Sequence, residues 1–546
     1  MHPPTENFGN FDTIIFGAGT AGCLLAKRLS ADPNHRVLPL EAGGRDNCIW
    51  IHISVGCLYC IGNPRTNWCY KTEPEPGLNG RSIMYARGKA LGGCSSVNAM
   101  IYMRDQMEDY NSWAAVGNGG WDWQSVPPSF KKNQSYHAGD THIYGASGEW
   151  RVEQQRLDWQ ILNAWQAAAA SAGIAPTADF NGGDNTGSGR FEVNQKTDMR
   201  WNTAKAFLRS IGHRKNLTVL THAHTQKINF DKTPVLKAIG IIFKHKNTLF
   251  SATANQEVIL SAGAVNTPQP LQLSGVGDAR QCAEHQIPVM HHLPGVGQNL
   301  QDHLQLRLGF KVQGVPTLNE WIHKPWGKLQ MALQHAFTRR GPLAMAPSQL
   351  GAFGKSNPDI DRPNLQFHVQ PLSLDKFGEP LHRFPAFTAS VCNLRPTSRA
   401  TVLLKSADAN AVPTISPNYL SAADDVQTAV DAIKLARRIS AQPAVTALHA
   451  TEFLPGAQIT TDVQLARAAG DIGTTIFHPV GTAKMGLAID PMTVVDARLK
   501  VYGIKNLRVA GGGCLYHAHD YVGLHQFAHI NDCRKSRCLH FGRSEA

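Results

Sequence analysis

Apolar and polar positions alternate in blocks along this chain. Thr13–Phe16 is a short apolar run that predicts a strand, and Cys23–Leu29 predicts an apolar helix. Between them lies Gly17-Ala18-Gly19-Thr20-Ala21-Gly22. Val37–Leu40 predicts a second strand, which ends on Glu41. Pro39 sits inside that strand, where it removes a ladder donor, and is read as a local defect. Downstream, Pro363–His368 and Arg395–Tyr419 alternate as strands do, and Asp424–Ser440 has helical periodicity. No internal repeat is evident, and no apolar run reaches the roughly eighteen residues of a membrane span.

Composition narrows the class. A chain of 546 residues predicts two or three folding units. At 42% hydrophobic and 17% charged residues, disorder and coiled coil are excluded. Eleven cysteines, an odd number spread over a long chain, argue for reduced thiols over a disulfide scaffold. The net charge of +12 would permit an acidic partner, yet the basic residues are scattered and no nucleic-acid motif is present. No nucleic-acid partner is expected. The segment Met1–Asn7 has no apolar stretch of a secretory signal, so a cytoplasmic setting is expected, with peripheral attachment at the inner membrane left open.

The first block carries chemistry. A strand, a glycine-rich turn, a helix and an acid about twenty residues on form a βαβ dinucleotide fingerprint. Gly17 makes the tight turn, Gly19 admits a pyrophosphate, Gly22 lets helix and strand pack, and Glu41 can accept from a ribose hydroxyl. An acid there suits an unphosphorylated ribose, hence FAD or NAD.

Further segments bring in a family. Arg87-Gly88-Lys89-Ala90-Leu91-Gly92-Gly93-Cys94-Ser95-Ser96-Val97-Asn98 resembles the first signature of the glucose–methanol–choline (GMC) flavoprotein oxidoreductases. Gly263–Pro268, running on to Ser274–Gly277, resembles the second; Pro294–His303 and Phe477–Thr482 resemble two more family blocks. The resemblance runs from about residue 11 to about 510, and its nearest subgroup looks like the choline-dehydrogenase-like alcohol dehydrogenases. It implies an α/β plus α+β fold: a discontinuous Rossmann-type FAD-binding domain and a substrate domain built on an antiparallel sheet. The FAD-binding parts would be residues 1–155, 205–310 and 465–546, and the substrate parts 156–204 and 311–464. Cofactor contacts are implied at Gly17, Gly19, Thr20, Ala21, Gly22, Glu41, Ala42, Arg87, Gly92, Gly93, Ser95, Asn98 and Thr225. Some members tie FAD to a histidine just before the Asn of the first signature. Here that position is Val97, so FAD is expected to be non-covalent.

Alcohol oxidation by a flavin needs a base for the hydroxyl proton while a hydride leaves the carbon. Histidine suits that task near neutral pH, and the resemblance implies His478. The expected partners are a small primary alcohol, choline among the candidates, and a quinone, dye or other non-NAD acceptor. A cyanohydrin-cleaving lyase on the same scaffold and an impaired flavoprotein are the competing readings. Cys94 reads as a packing residue and Cys57-Leu58-Tyr59-Cys60 as a lone CxxC without metal or redox context. Thr267 is expected to cap a helix that has Pro268 at its first position.

The likeness to the family stops at Gly511. The tail beyond it holds His517, His519, His525, His529 and His540 with Cys514, Cys533 and Cys538, but lacks zinc-type pair spacing, and no metal is expected. It reads instead as family sequence translated in the wrong frame. Joining the last two bases of each codon to the first of the next, Gly513–Tyr516 becomes Asp-Ala-Ser-Thr and His517–Val522 becomes Met-Pro-Thr-Ile-Thr-Ser. His525–Ser536 becomes Thr-Asn-Ser-Pro-Thr-Leu-Met-Ile-Ala-Glu-Lys-Ala. The family's second catalytic residue, Asn or His, would fall near Leu524, whose shifted codon gives Phe, Tyr, Ser or Cys.

Overall fold

A computed structural model describes residues 5–512 of the chain. The reading-frame inference from Gly513 onward therefore lies outside the described residues. From the N-terminal side, β1 (Glu6–Phe16) leads into α1 (Thr20–Leu29) and β2 (Val37–Glu41). After a run of short segments come α2 (Gln160–Ser171) and β3 (Gly187–Arg190). Next are β4 (Leu220–Thr221), β5 (Ala223–Asp231), β6 (Lys237–His245) and β7 (Thr248–Leu260). The following stretch holds β8 (Leu304–Lys311), α3 (Gly327–Thr338), β9 (Leu350–Gly354), β10 (Leu365–Gln370) and β11 (Ala386–Asn393). It is followed by α4 (Ala423–Ser440), β12 (Thr451–Leu454), α5 (Asp462–Ile472), β13 (Gly473–Thr475) and β14 (Leu507–Val509).

These strands build two large sheets. The first runs β4-β2-β1-β7-β6-β5, with β14 also paired to β7. Pairing is parallel from β4 through β7 and onto β14, and antiparallel between β7, β6 and β5. Ile14, Ile15, Val37, Leu38, Leu40, Val258 and Leu260 are fully buried, as strands covered on both faces require. Pro39 is tolerated within β2, in register with Ile15 of β1.

The second sheet runs β12-β8-β11-β10-β9-β3, with β13 on β8, and every pairing is antiparallel. Leu306, Leu308, Phe367, Val369, Ala389 and Val391 form one apolar face, packed with residues of α2 and α4. The alternate positions Gln305, Arg307, Gln366, His368, Gln370 and Ser390 are polar and also buried. Such a face needs polar partners of its own, and it looks toward the site described below.

The chain changes sheets at other points than the sequence suggests. The expected boundary at 310 cuts β8, which belongs wholly to the second sheet, as does β13 beyond 465. Arg395–Tyr419 does not join that sheet; Thr401–Leu403 and Thr414–Ser416 form a separate two-stranded ladder. Thr267 makes no side-chain cap, because a helical turn over Gly263–Asn266 already leads into Pro268 and leaves Thr267 in helical conformation.

Candidate active site

The turn after β1 opens on a void. Gly17, Gly19, Thr20, Glu41, Ala42, Arg87, Gly93 and Thr225 all line it. Ala21, Gly22 and Gly92 do not; they pack behind the turn. At Gly22 a Cβ would come within 1.9 Å of the Gly17 carbonyl oxygen, so only glycine allows α1 to start this close to β1. Helix α1 begins at Gly19 with no side-chain cap, which leaves its first N–H groups for an anion in the void. Glu41, 6% exposed, accepts from the Ala18 N–H at 3.2 Å and the Gly43 N–H at 2.8 Å. Burial pushes its acid up to about 7, against the pull of those two donors.

Several buried polar atoms along this void have no protein partner: Arg87 Nε and Nη2, Thr225 Oγ1 and Ser261 Oγ. Unpaired buried donors are costly, so their convergence fits a ligand rich in oxygen, as a dinucleotide is. At the outer end, Trp68 lies 5.7 Å from the His224 ring, and the Lys89 ammonium sits 4.7 Å over Trp68. Trp68, His224, Ser261 and Gln269 line the void without having been singled out in the sequence. They come from four separate segments, and only the fold brings them together.

Thr20, Arg87 and Cys94 are shared with a second void of about 960 Å³, so the two adjoin. Its wall is largely apolar, with Cys57, Leu58, Ile61, Val97, Phe377 and Ile476. The polar contributions are Ser95, Asn98, Gln305, Ser348, His368, Gln370 and His478. Ser95 spends its hydroxyl on the Gly92 carbonyl of its own loop at 2.6 Å and on Thr203 Oγ1 from a distant segment at 2.9 Å. Asn98 Oδ1 accepts from the Met100 N–H at 3.1 Å and Arg200 Nη1 at 2.8 Å. Burial raises Cys57 to about 12 and Cys60 to about 11, so neither thiol of the CxxC is a ready thiolate.

His478 is held by its backbone. Phe477 adopts φ 71°, a left-handed conformation unusual for an aromatic residue, and its N–H donates to Thr475 Oγ1 at 2.7 Å. The His478 N–H donates to Asp302 Oδ1 at 2.9 Å, as does the His303 N–H. Asp302 Oδ2 accepts from Tyr419 Oη at 2.5 Å and Thr475 Oγ1 at 2.6 Å. Four donors thus satisfy one buried carboxylate, which ties the His478 turn to β8 and the loop bearing Tyr419. The His303 ring meets the His478 ring edge to face at 5.6 Å. Asp302 belongs to a motif read in the sequence, but nothing in its spacing revealed this anchoring role. The second catalytic position expected near Leu524 lies outside the described residues.

The fold defines the class first. Pyridoxine 4-oxidase from Mesorbium loti superposes with a TM-score of 0.86 at 25% identity, covering 98% of this chain and 100% of that one. An FAD-dependent oxidoreductase from Chaetomium thermophilum does so with the same values. The architecture is therefore that of a flavin-dependent oxidoreductase. More narrowly, the two GMC oxidoreductase family models match residues 11–305 and 396–518, and the chain belongs to the GMC oxidoreductase family. An alcohol dehydrogenase [acceptor] of Pseudomonas putida is 40% identical over 505 residues, 91% of this chain and 90% of that protein. The mitochondrial choline dehydrogenase of Mus musculus is 37% identical over 503 residues, 91% of this chain and 84% of that one.

Proposed function

We propose that this flavoprotein oxidises a neutral primary alcohol to an aldehyde, with FAD held non-covalently and electrons passed on to a non-NAD acceptor. The observation that carries the reading is His478, fixed through Asp302 on the wall of an apolar void that adjoins the dinucleotide cavity. In this reading the first sheet is the core of the FAD-binding domain, gathered from distant stretches of chain, and the second sheet belongs to the substrate domain. The turn at Gly17–Gly22 and the uncapped end of α1 hold the pyrophosphate, Glu41 accepts from a ribose hydroxyl, and Arg87 and Thr225 meet the remaining oxygens. Bound FAD supplies a hydride acceptor at flavin N5.

The chain's own part is to orient and deprotonate the alcohol. His478 takes the hydroxyl proton as the carbinol hydrogen leaves with its electron pair, which balances the conversion to aldehyde. The apolar wall excludes water from the reacting carbon. No carboxylate is among the described residues lining the void, and the buried Arg307 guanidinium lies 4.5 Å over the ring of Phe377. Burial lowers Arg307 only to about 10, so it stays charged at neutral pH. Such a site favours an uncharged alcohol over a quaternary ammonium. Val97 faces the void with no nucleophile, which supports non-covalent FAD.

Anaerobic mixing with a primary alcohol tests this reading. The visible flavin absorption should bleach, and acid denaturation should release the flavin into the supernatant. His478→Ala should retain FAD and slow bleaching by about 10² to 10⁴. Cyanohydrin turnover without bleaching, or no bleaching by any alcohol, would overturn the reading.

A further inference from the structure

Helix α3 buries only Gly327, Met331 and His335. On its other side Leu329, Leu333 and Phe337 recur every four residues at 50%, 47% and 83% exposure, and Trp326 precedes them at 76%. Exposed apolar residues are ordinary when scattered singly, but here four share one face of a helix. Along this stretch of chain the charged residues carry one sign, with Asp158 and Asp198 lying beside Arg340 at its far end. Lys324, Lys328, Arg339 and Arg340 are all exposed, and no Asp or Glu occurs from Trp321 to Met345.

The position of this stripe is informative. Arg339 Nη1 contacts Met199 Sδ at 3.7 Å, and Met199 bridges to Ile53. Ile53 leads into the turn whose Cys57, Leu58 and Ile61 line the second void, and that turn also exposes Tyr59. In the other direction, α3 runs through Pro342–Ala344 to Pro347 and Ser348, which line the same void. Short stretches of chain thus link the helix to the wall of the second void.

We propose that α3 with Trp326 docks this face of the protein onto an anionic lipid bilayer. The apolar stripe enters the headgroup and acyl boundary, while the four cationic side chains meet lipid phosphates. Charge complementarity selects this occupant, since the exposed lysines and arginines along this segment repel the same segment of a second copy. Docking brings the membrane, the phase into which apolar alcohols partition, to a helix linked to the wall of the second void. The surface does not depend on the reaction proposed above.

Co-sedimentation of the full FAD-loaded chain with phosphatidylglycerol–phosphatidylcholine vesicles tests the proposal. Binding should weaken with salt and with phosphatidylcholine alone, and fall about fivefold for each of Lys324→Gln and Lys328→Gln. Leu333→Glu with Phe337→Glu should abolish it while the flavin spectrum stays unchanged. A chain that stays in the supernatant, or a double variant that binds like its parent, overturns the proposal. A dimer in solution that the same two substitutions dissociate also overturns it, because a second copy then covers the face. Flavin reduction by a water-soluble alcohol, measured without vesicles, reports on the reaction separately.

Discussion

Glu41 shows how one side chain links burial to cofactor affinity. Its folded acid is raised to about 7 from an ordinary value of about 4.3, so the empty cavity favours the neutral form. The carboxylate therefore costs the apoprotein stability, a cost absent at low pH that grows as pH rises toward 7. In the reading proposed above, ribose hydroxyls donate to the carboxylate, so FAD would draw Glu41 to its charged form. FAD affinity for the apoprotein should rise about tenfold per pH unit below 7 and level off above it, and Glu41→Gln should flatten the profile. Calorimetric titration at several pH values checks this. Glu41 was legible in the sequence because its spacing from the glycine turn is fixed by the βαβ geometry. Asp302 was not, because its role consists of donors that come from β13, the His478 turn and the loop bearing Tyr419.

At the scale of elements, the loop that follows β2 in space is pinned by close backbone contact. Gly93 has φ 53°, and a Cβ there would lie 2.8 Å from Gly19 Cα, backbone against backbone. Gly93→Ala should force the signature loop off the α1 turn and lower retained flavin per chain by about tenfold or more, read from the ratio of visible to ultraviolet absorbance. Elements of the first sheet were legible where apolar runs meet glycine: α1 and β2 match their patterns within three residues, whereas β1 begins seven residues before the expected Thr13. In the second sheet Pro363–His368 was legible as the strand β10, but the surroundings of its alternate residues were not. In β8 and β10 the alternate polar residues Gln305, Arg307, Gln366 and His368 resemble a solvent face, whereas they are buried toward the substrate void. Arg395–Tyr419 failed in the opposite sense, since real alternation there serves only a short ladder.

For the whole molecule, the tail is decisive. The family model matches the chain as written through residue 518, past Gly511 where the likeness was expected to stop, and the reading-frame inference rests on the sequence alone. A chain carrying the shifted-frame tail, with Asn at the Leu524 position, should reduce its flavin with alcohol at least about tenfold faster than the present chain, a difference stopped-flow absorbance resolves. Equal rates would mean that His478 and the described residues suffice. The first sheet carries a further consequence, for biosynthesis. β1 begins at Glu6, but β7, whose end leads into Ser261 on the cofactor void, is flanked by β14 at Leu507–Val509. Pairings so distant along the chain are slow to form and cannot close while Leu507 is still inside the ribosome. The nascent N-terminal half must therefore emerge with its glycine turn built and its central sheet unfinished. Closure of the central sheet, and not the order of motifs in the gene, then sets when the cofactor void is complete.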